Sequence, residues 1–189
     1  NSNQPYVKKN NILSFNGEIY NYIELSKKYF PKDIIPSDTI LLFKILEKYG
    51  KEKINELEGM FSFIFFDTNT SKWIASRDVF GIKPLYFYHD KDCFIIASEV
   101  KAIQLIVSSS VDELSIKESQ IFRRPTPGYS FFEGIKELLP GNLIEGEFTS
   151  FKITRYEKPL DQFSLNKSDS LLDIVRESVQ IHQRADCNI

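Results

Sequence analysis

The stretch Gly59-Met60-Phe61-Ser62-Phe63-Ile64-Phe65-Phe66-Asp67-Thr68-Asn69-Thr70-Ser71-Lys72-Trp73-Ile74-Ala75-Ser76 decides the fold class. From Met60 to Phe66 the run is almost continuously apolar, the mark of a strand covered on both faces. Residues 67–71 form a polar turn, and 72–76 read as the return strand. The pattern recurs at 85–88 and 93–97, across the turn His89-Asp90-Lys91-Asp92. Upstream of this meander the period changes. Ser37 caps a helix with Asp38 in its first turn, Leu41, Leu42, Ile45, Leu46 and Tyr49 recur at 3.6-residue spacing, and Gly50 ends it. A short polar helix follows over 51–57. A strand meander packed against helices is an α+β arrangement.

Working outward, residues 11–15 read as a strand that ends in a turn at Asn16-Gly17. Asn21 then caps a helix, with Glu24 at its third position, that Pro31 stops. Residues 107–124 are a polar linker with one helix near 115–120. The Pro- and Gly-rich stretch 125–141 reads as loop. Two short strands are expected over 142–156 around Gly146-Glu147, then a linker over 157–167. A final amphipathic helix runs over 170–184, with Ser170 and Asp173 as its capping box and Leu171, Leu172, Val175 and Val179 on one face.

Composition narrows the function classes. The 189 residues carry a net charge of -2 with 42% hydrophobic content, as in ordinary soluble domains. That charge gives no electrostatic case for nucleic acid or a membrane surface. No apolar run approaches the ~20 residues that span a bilayer, and the polar first ten residues are not a signal peptide. Cys93 and Cys187 are far apart and lack metal spacing, so no metal is expected. Two isolated thiols fit a reducing cytoplasm.

Few residues offer chemistry. Asn16-Gly17 at a strand end would present a carboxamide NH2 beside a backbone N–H that no Cβ shields. Two such donors aimed at one point can hold an oxyanion, although Asn-Gly is more commonly a plain turn. Glu18 and Asp38 lie near predicted helix starts. Together they could hold an ammonium group, while either alone is ordinary helix decoration. Arg77-Asp78 and Gly81-Ile82-Lys83-Pro84 read as a geometric device between strands. A thiol in an apolar strand, as expected for Cys93, is a poor nucleophile, and Cys187 has no base near it in sequence. Neither His89 nor His182 is assigned a role.

The segment Phe15-Asn16-Gly17-Glu18-Ile19-Tyr20-Asn21 resembles a signature of class II glutamine amidotransferases of the asparagine synthetase type. Ser37-Asp38-Thr39, residues 57–63, 76–86 and 97–102, and Phe132-Glu133-Gly134-Ile135-Lys136-Glu137-Leu138-Leu139-Pro140-Gly141 follow in that family's order. The resemblance covers most of residues 4–156. It implies an N-terminal-nucleophile hydrolase-like sandwich of antiparallel sheets between helix layers, with an amidotransferase domain over 1–156. Residues 157–189 would be a linker and the first helix of a synthetase domain. The implied activity is hydrolysis of glutamine to glutamate and ammonia, which an ATP-dependent domain, in the same or a partner chain, uses to amidate aspartate in asparagine biosynthesis. Asn16 and Gly17 would form the oxyanion hole, and Glu18 and Asp38 would hold the glutamine amino group. ATP and Mg2+ are implied for the synthetase domain and no cofactor for the residues covered here. A homodimer in the cytoplasm is the family's usual state.

Two departures bear on activity. The family's nucleophile is a cysteine at the mature N-terminus, and an arginine grips the glutamine carboxylate. Neither matches a residue here, where the chain starts at Asn1 close to Gln4-Pro5. At the other end, Arg184-Ala185-Asp186 resembles the segment just before the synthetase's pyrophosphate loop. Residues 1–189 alone are therefore expected to hydrolyse no glutamine and to bind no ATP. The alternatives are a non-catalytic scaffold descended from the fold, or a relative with another acceptor, such as those that close β-lactam or lasso-peptide rings or amidate sugars.

Overall fold

The computed structural model describes residues 3–156 and 170–183. Among these described residues are nine strands, five α-helices and one 3-10 helix. A six-stranded antiparallel sheet has the order β1 (Tyr6–Lys8), β2 (Asn11–Ile19), β3 (Gly59–Asp67), β4 (Lys72–Arg77), β8 (Asn142–Glu147), β9 (Ser150–Arg155). A three-stranded sheet has the order β6 (Phe94–Ala97), β5 (Tyr86–His89), β7 (Ile135–Glu137). Helices α1 (Tyr22–Tyr29) and α2 (Asp38–Tyr49) join the first sheet through one core, and α3 (Val100–Gln104) lies against β5 and β6.

The apolar run 60–66 works as its double coverage requires. Side chains alternate along a strand. Phe61, Phe63 and Phe65 enter a core with Leu13 and Phe15 of β2 and Leu42, Phe43 and Ile45 of α2. Ile64 and Phe66 face the other way and pack with Trp73, Ala75, Phe87 and Ile144 between the sheets. The register pairs Phe15 with Phe63 and Phe65 with Ile74, so each face stays uniform. One side of the second core is open. Ile64, Phe66, Trp73, Phe94, Ile96 and Phe148 line a groove of about 390 Å³.

Arg77 and Asp78 hold the two sheets together. Asp78 is fully buried. Its carboxylate accepts N–H bonds from Phe61, Phe80, Ile82 and Lys83 at 3.0–3.1 Å. Arg77 donates to the carbonyls of Gly81, Lys83 and Leu138 and to the Glu137 carboxylate at 2.7–2.8 Å. The Tyr156 hydroxyl donates to the Arg77 carbonyl at 2.8 Å. Each turn polar group thus has a charged or backbone partner, as burial demands. The structural role expected for this pair is correct, and its reach extends to β7, 60 residues away.

Several local expectations need correction. Asn16-Gly17 is not a turn: β2 runs straight through it to Ile19. Asn21 makes no side-chain cap; its carboxamide donates to Glu56 O and accepts from Glu58 N, tying α1 to the start of β3. The loop expected at 125–141 contains β7, whose isolated Ile-Lys-Glu has too little alternation to announce a strand. Helix α3 was also not expected, and α4 is longer than the 115–120 estimate, Glu113–Phe122, capped by Asp112. His89 belongs to β5 and packs on the Phe151 ring at 4.9 Å rather than standing in a polar turn. Helix α5 (Leu171–His182) has its Ser170 cap, but Leu171, Leu172, Val175 and Val179 are exposed. The linker at 157–169 and residues 184–189, Cys187 among them, lie outside the described residues. Among the described residues no helix is long and apolar enough to cross a membrane.

Asp78→Asn should destabilise the domain by roughly 3 kcal/mol or more, because an amide NH2 would face buried N–H donors. Urea unfolding checks this as a lower midpoint. Glu56 offers a pH test. Hydrogen bonds from Lys28 and Tyr29, then Lys53, hold its carboxyl at about 2, against an ordinary 4.5. The folded value is depressed, so the stabilisation is full above pH 4.5 and fades as pH falls through 2. The stability difference between wild type and Glu56→Gln should shrink across that window.

Candidate amidotransferase site

The geometry at Asn16-Gly17 follows from how β2 is shared. In an antiparallel ladder, a residue's N–H and C=O point to the same neighbour, and successive residues alternate. The Phe61 N–H and C=O are both taken by Asp78 on the β4 side. Gly17, paired with Phe61, therefore points its own N–H away from β3. The N–H groups of Phe15 and Ile19 point the same way. The first donates to Gln4 Oε1 at 3.1 Å and the second to Asp38 Oδ2 at 3.1 Å. Strand β1 covers β2 only as far as Leu13. Among the described residues, Gly17 is thus left as the open N–H on this edge, between two that are capped by side chains.

Gly17 is required here, though for a different reason from the one its sequence suggests. Its φ is 144°, and a Cβ would lie 2.0 Å from Met60 O. The space that the missing side chain frees is filled by β3, not kept for a ligand. Gly59 mirrors it, with φ 159° and the Glu18 carbonyl 2.1 Å from a built Cβ. Two glycines on adjacent strands, Gly17 opposite Phe61 and Gly59 opposite Ile19, let the strands approach closely along this stretch.

Asn16 and Glu18 alternate to the face opposite Phe15. Asn16 is exposed and Glu18 half-buried. Tyr20 follows on that face, and its hydroxyl pKa is raised by burial, then by the nearby Glu18 and Asp78 carboxylates. Asp38 starts α2 under the Ser37 cap, whose hydroxyl accepts from Ile40 N at 3.4 Å. Its carboxylate takes the Ile19 and Thr39 N–H groups, so it anchors α2 to the end of β2. The four residues singled out in the sequence therefore gather at one end of β2. Sequence reasoning missed Gln4, whose only signal is its place before Pro5.

Other reactive groups are poorly set for catalysis. Burial, then the Asp90 hydrogen bond and charge, raises the Cys93 pKa, which disfavours the thiolate. The apolar groove presents a single polar side chain, Ser71, and no titratable group. His182 packs against Tyr20 in a tilted ring contact with centroids 4.4 Å apart, bringing α5 to the end of β2.

The layered arrangement has counterparts among solved amidotransferases. Glutamine phosphoribosylpyrophosphate amidotransferase from B. subtilis, complexed with ADP and GMP, superposes with a TM-score of 0.57 at 19% identity over 82% of this chain and 32% of that one. A structure described as the allosteric regulatory enzyme of purine biosynthesis matches equally, with a TM-score of 0.57 at 18% identity. These likenesses show the fold, an N-terminal-nucleophile amidotransferase sandwich. The chain belongs to the glutamine amidotransferase domain family, whose model matches residues 1–157. Asparagine synthetase [glutamine-hydrolyzing] 1 of Bacillus subtilis is 30% identical over 98% of the chain, which spans 31% of that relative. Asparagine synthetase [glutamine-hydrolyzing] of Zea mays is 39% identical over 49% of the chain and 16% of its own length. The chain thus spans less than a third of these relatives.

Gly17→Ala should cost roughly 2 kcal/mol or more through the clash with Met60 O and the positive φ. Asn16→Ala, at an exposed side chain, should leave stability within about 0.5 kcal/mol. Parallel urea titrations of the two variants separate the backbone requirement from the side chain.

Proposed function

We propose that this domain binds glutamine at the Asn16–Gly17 edge and that, in a longer protein, glutamine is hydrolysed there to glutamate and ammonia. The open Gly17 N–H beside the exposed Asn16 carboxamide carries the reading. A backbone N–H and a side-chain NH2 fixed on one strand can meet the oxygen of an amide carbonyl. They would meet it more strongly as negative charge develops on that oxygen. Glu18 and Asp38 supply the negative charge that the amino group of an amino acid needs. Family membership supports the substrate class.

The names of the relatives support the next step. Ammonia passes to an ATP-dependent synthetase domain, which amidates aspartate. ATP and Mg2+ belong to that second domain. Among the described residues no group of three or more His, Cys, Asp or Glu could hold a metal ion. The attacking thiol is supplied from outside the described residues, since Cys93 is unsuited.

The test is an NMR titration of the labelled chain with L-glutamine. The Gly17 backbone and Asn16 side-chain amide signals should shift together. Asn16→Ala should raise the Kd about tenfold, the worth of one good hydrogen bond. Glu18→Gln should weaken binding in the same direction. If glutamine leaves the Gly17 and Asn16 signals unmoved, the reading fails.

A further inference from the structure

The hydroxyl of Ser62 is buried and has no hydrogen-bond partner among the described residues. Ser62 is 2% exposed and lies in the middle of β3, directly opposite Asn16 on β2 and Arg77 on β4. Paired residues in a ladder share a face, with Cβ atoms about 5 Å apart. The three side chains therefore form one row across the sheet.

At the Arg77 end every donor is committed: Nε, Nη1 and Nη2 bond to Lys83, Glu137, Leu138 and Gly81. A guanidinium has no acceptor to offer a hydroxyl. The Asp78 carboxylate nearby already accepts four N–H bonds. At the other end stands the exposed Asn16 carboxamide, engaged by no described residue. A buried hydroxyl left unsatisfied costs about 1–3 kcal/mol, so it has a reason to reach this neighbour.

Asn16 also has a need. A carboxamide presents a donor at Nδ2 and an acceptor at Oδ1, and only the donor suits an oxyanion. A hydroxyl hydrogen given to Oδ1 would leave only Nδ2 to face the ligand. We propose that Ser62 is a positioning residue for the glutamine site: its hydroxyl donates to Asn16 Oδ1 in the bound state and holds Nδ2 toward the glutamine carbonyl. This rests on the reading of Asn16 as a glutamine donor.

The experiment is a double-mutant cycle with L-glutamine as probe, read by NMR titration and urea unfolding. Ser62→Ala should raise the Kd about fivefold while leaving stability equal or higher, because it removes an unsatisfied buried group. A merely structural serine would move the two readouts together. Ser62→Thr, which keeps the hydroxyl, should restore the affinity. In an Asn16→Ala background, Ser62→Ala should cost nothing further. If Asn16→Ala weakens binding but Ser62→Ala does not, or if the two losses add, the proposal falls and the glutamine reading stands. No glutamine binding by the wild type removes both.

Discussion

A buried carboxylate with four backbone N–H groups around it is the constraint on which the remainder depends. Asp78 orders the turn after β4, and Arg77 beside it reaches across to the second sheet. Removing a carboxylate from water is costly unless its lone pairs are filled, and here they are filled by main chain. Sheet-to-sheet spacing is therefore set by short polar bonds as well as by the softer packing of Trp73, Phe87 and Ile144. The same carboxylate takes the Phe61 N–H, which turns Phe61 toward β4 and its partner Gly17 toward the edge. The knot and the site are linked through a single β3 residue.

Strands and helices with a dense periodic signal were legible in the sequence. The run 60–66, its return strand and the helix from Asp38 form as their patterns require, because their burial is decided by residues close in sequence. The α+β class was legible for the same reason. Strand β7 and helix α3 were not: three and five residues carry too little period, and what holds β7 is its pairing with β5, some 50 residues earlier. Asn16-Gly17 was misread as a turn because Asn-Gly favours turns in general. Only the pairing with β3, unbroken from Asn11 to Ile19, shows that the chain continues extended.

The candidate site was legible as a set of residues and not as a geometry. Asn16, Gly17, Glu18 and Asp38 were all named, by resemblance as much as by chemistry. That Asp38 reaches back 19 residues to the Ile19 N–H has no local signal. The cap that Gln4 places on Phe15 is equally silent, since a carboxamide's partner is chosen by the fold. Family membership supplies substrate class, while the ladder supplies direction, namely which N–H groups are spent and which remains.

Gly17 and Gly59 carry a consequence for how this segment can vary. The Met60 carbonyl stands where a Cβ on Gly17 would lie, and the Glu18 carbonyl where one on Gly59 would. Inter-strand spacing at this point is thus a property of the pair. A side chain introduced at Gly17 wedges β2 from β3 beside the Asn16–Ser62 pair, and one at Gly59 does so opposite Ile19, three register pairs further along. Gly17, next to that pair, acts as a gauge for the distance across which Asn16 and Ser62 meet, and Gly59 for the end of β2 that Asp38 caps. In a mutational scan, Gly59 would score like a ligand-binding residue although it is well placed to touch only backbone.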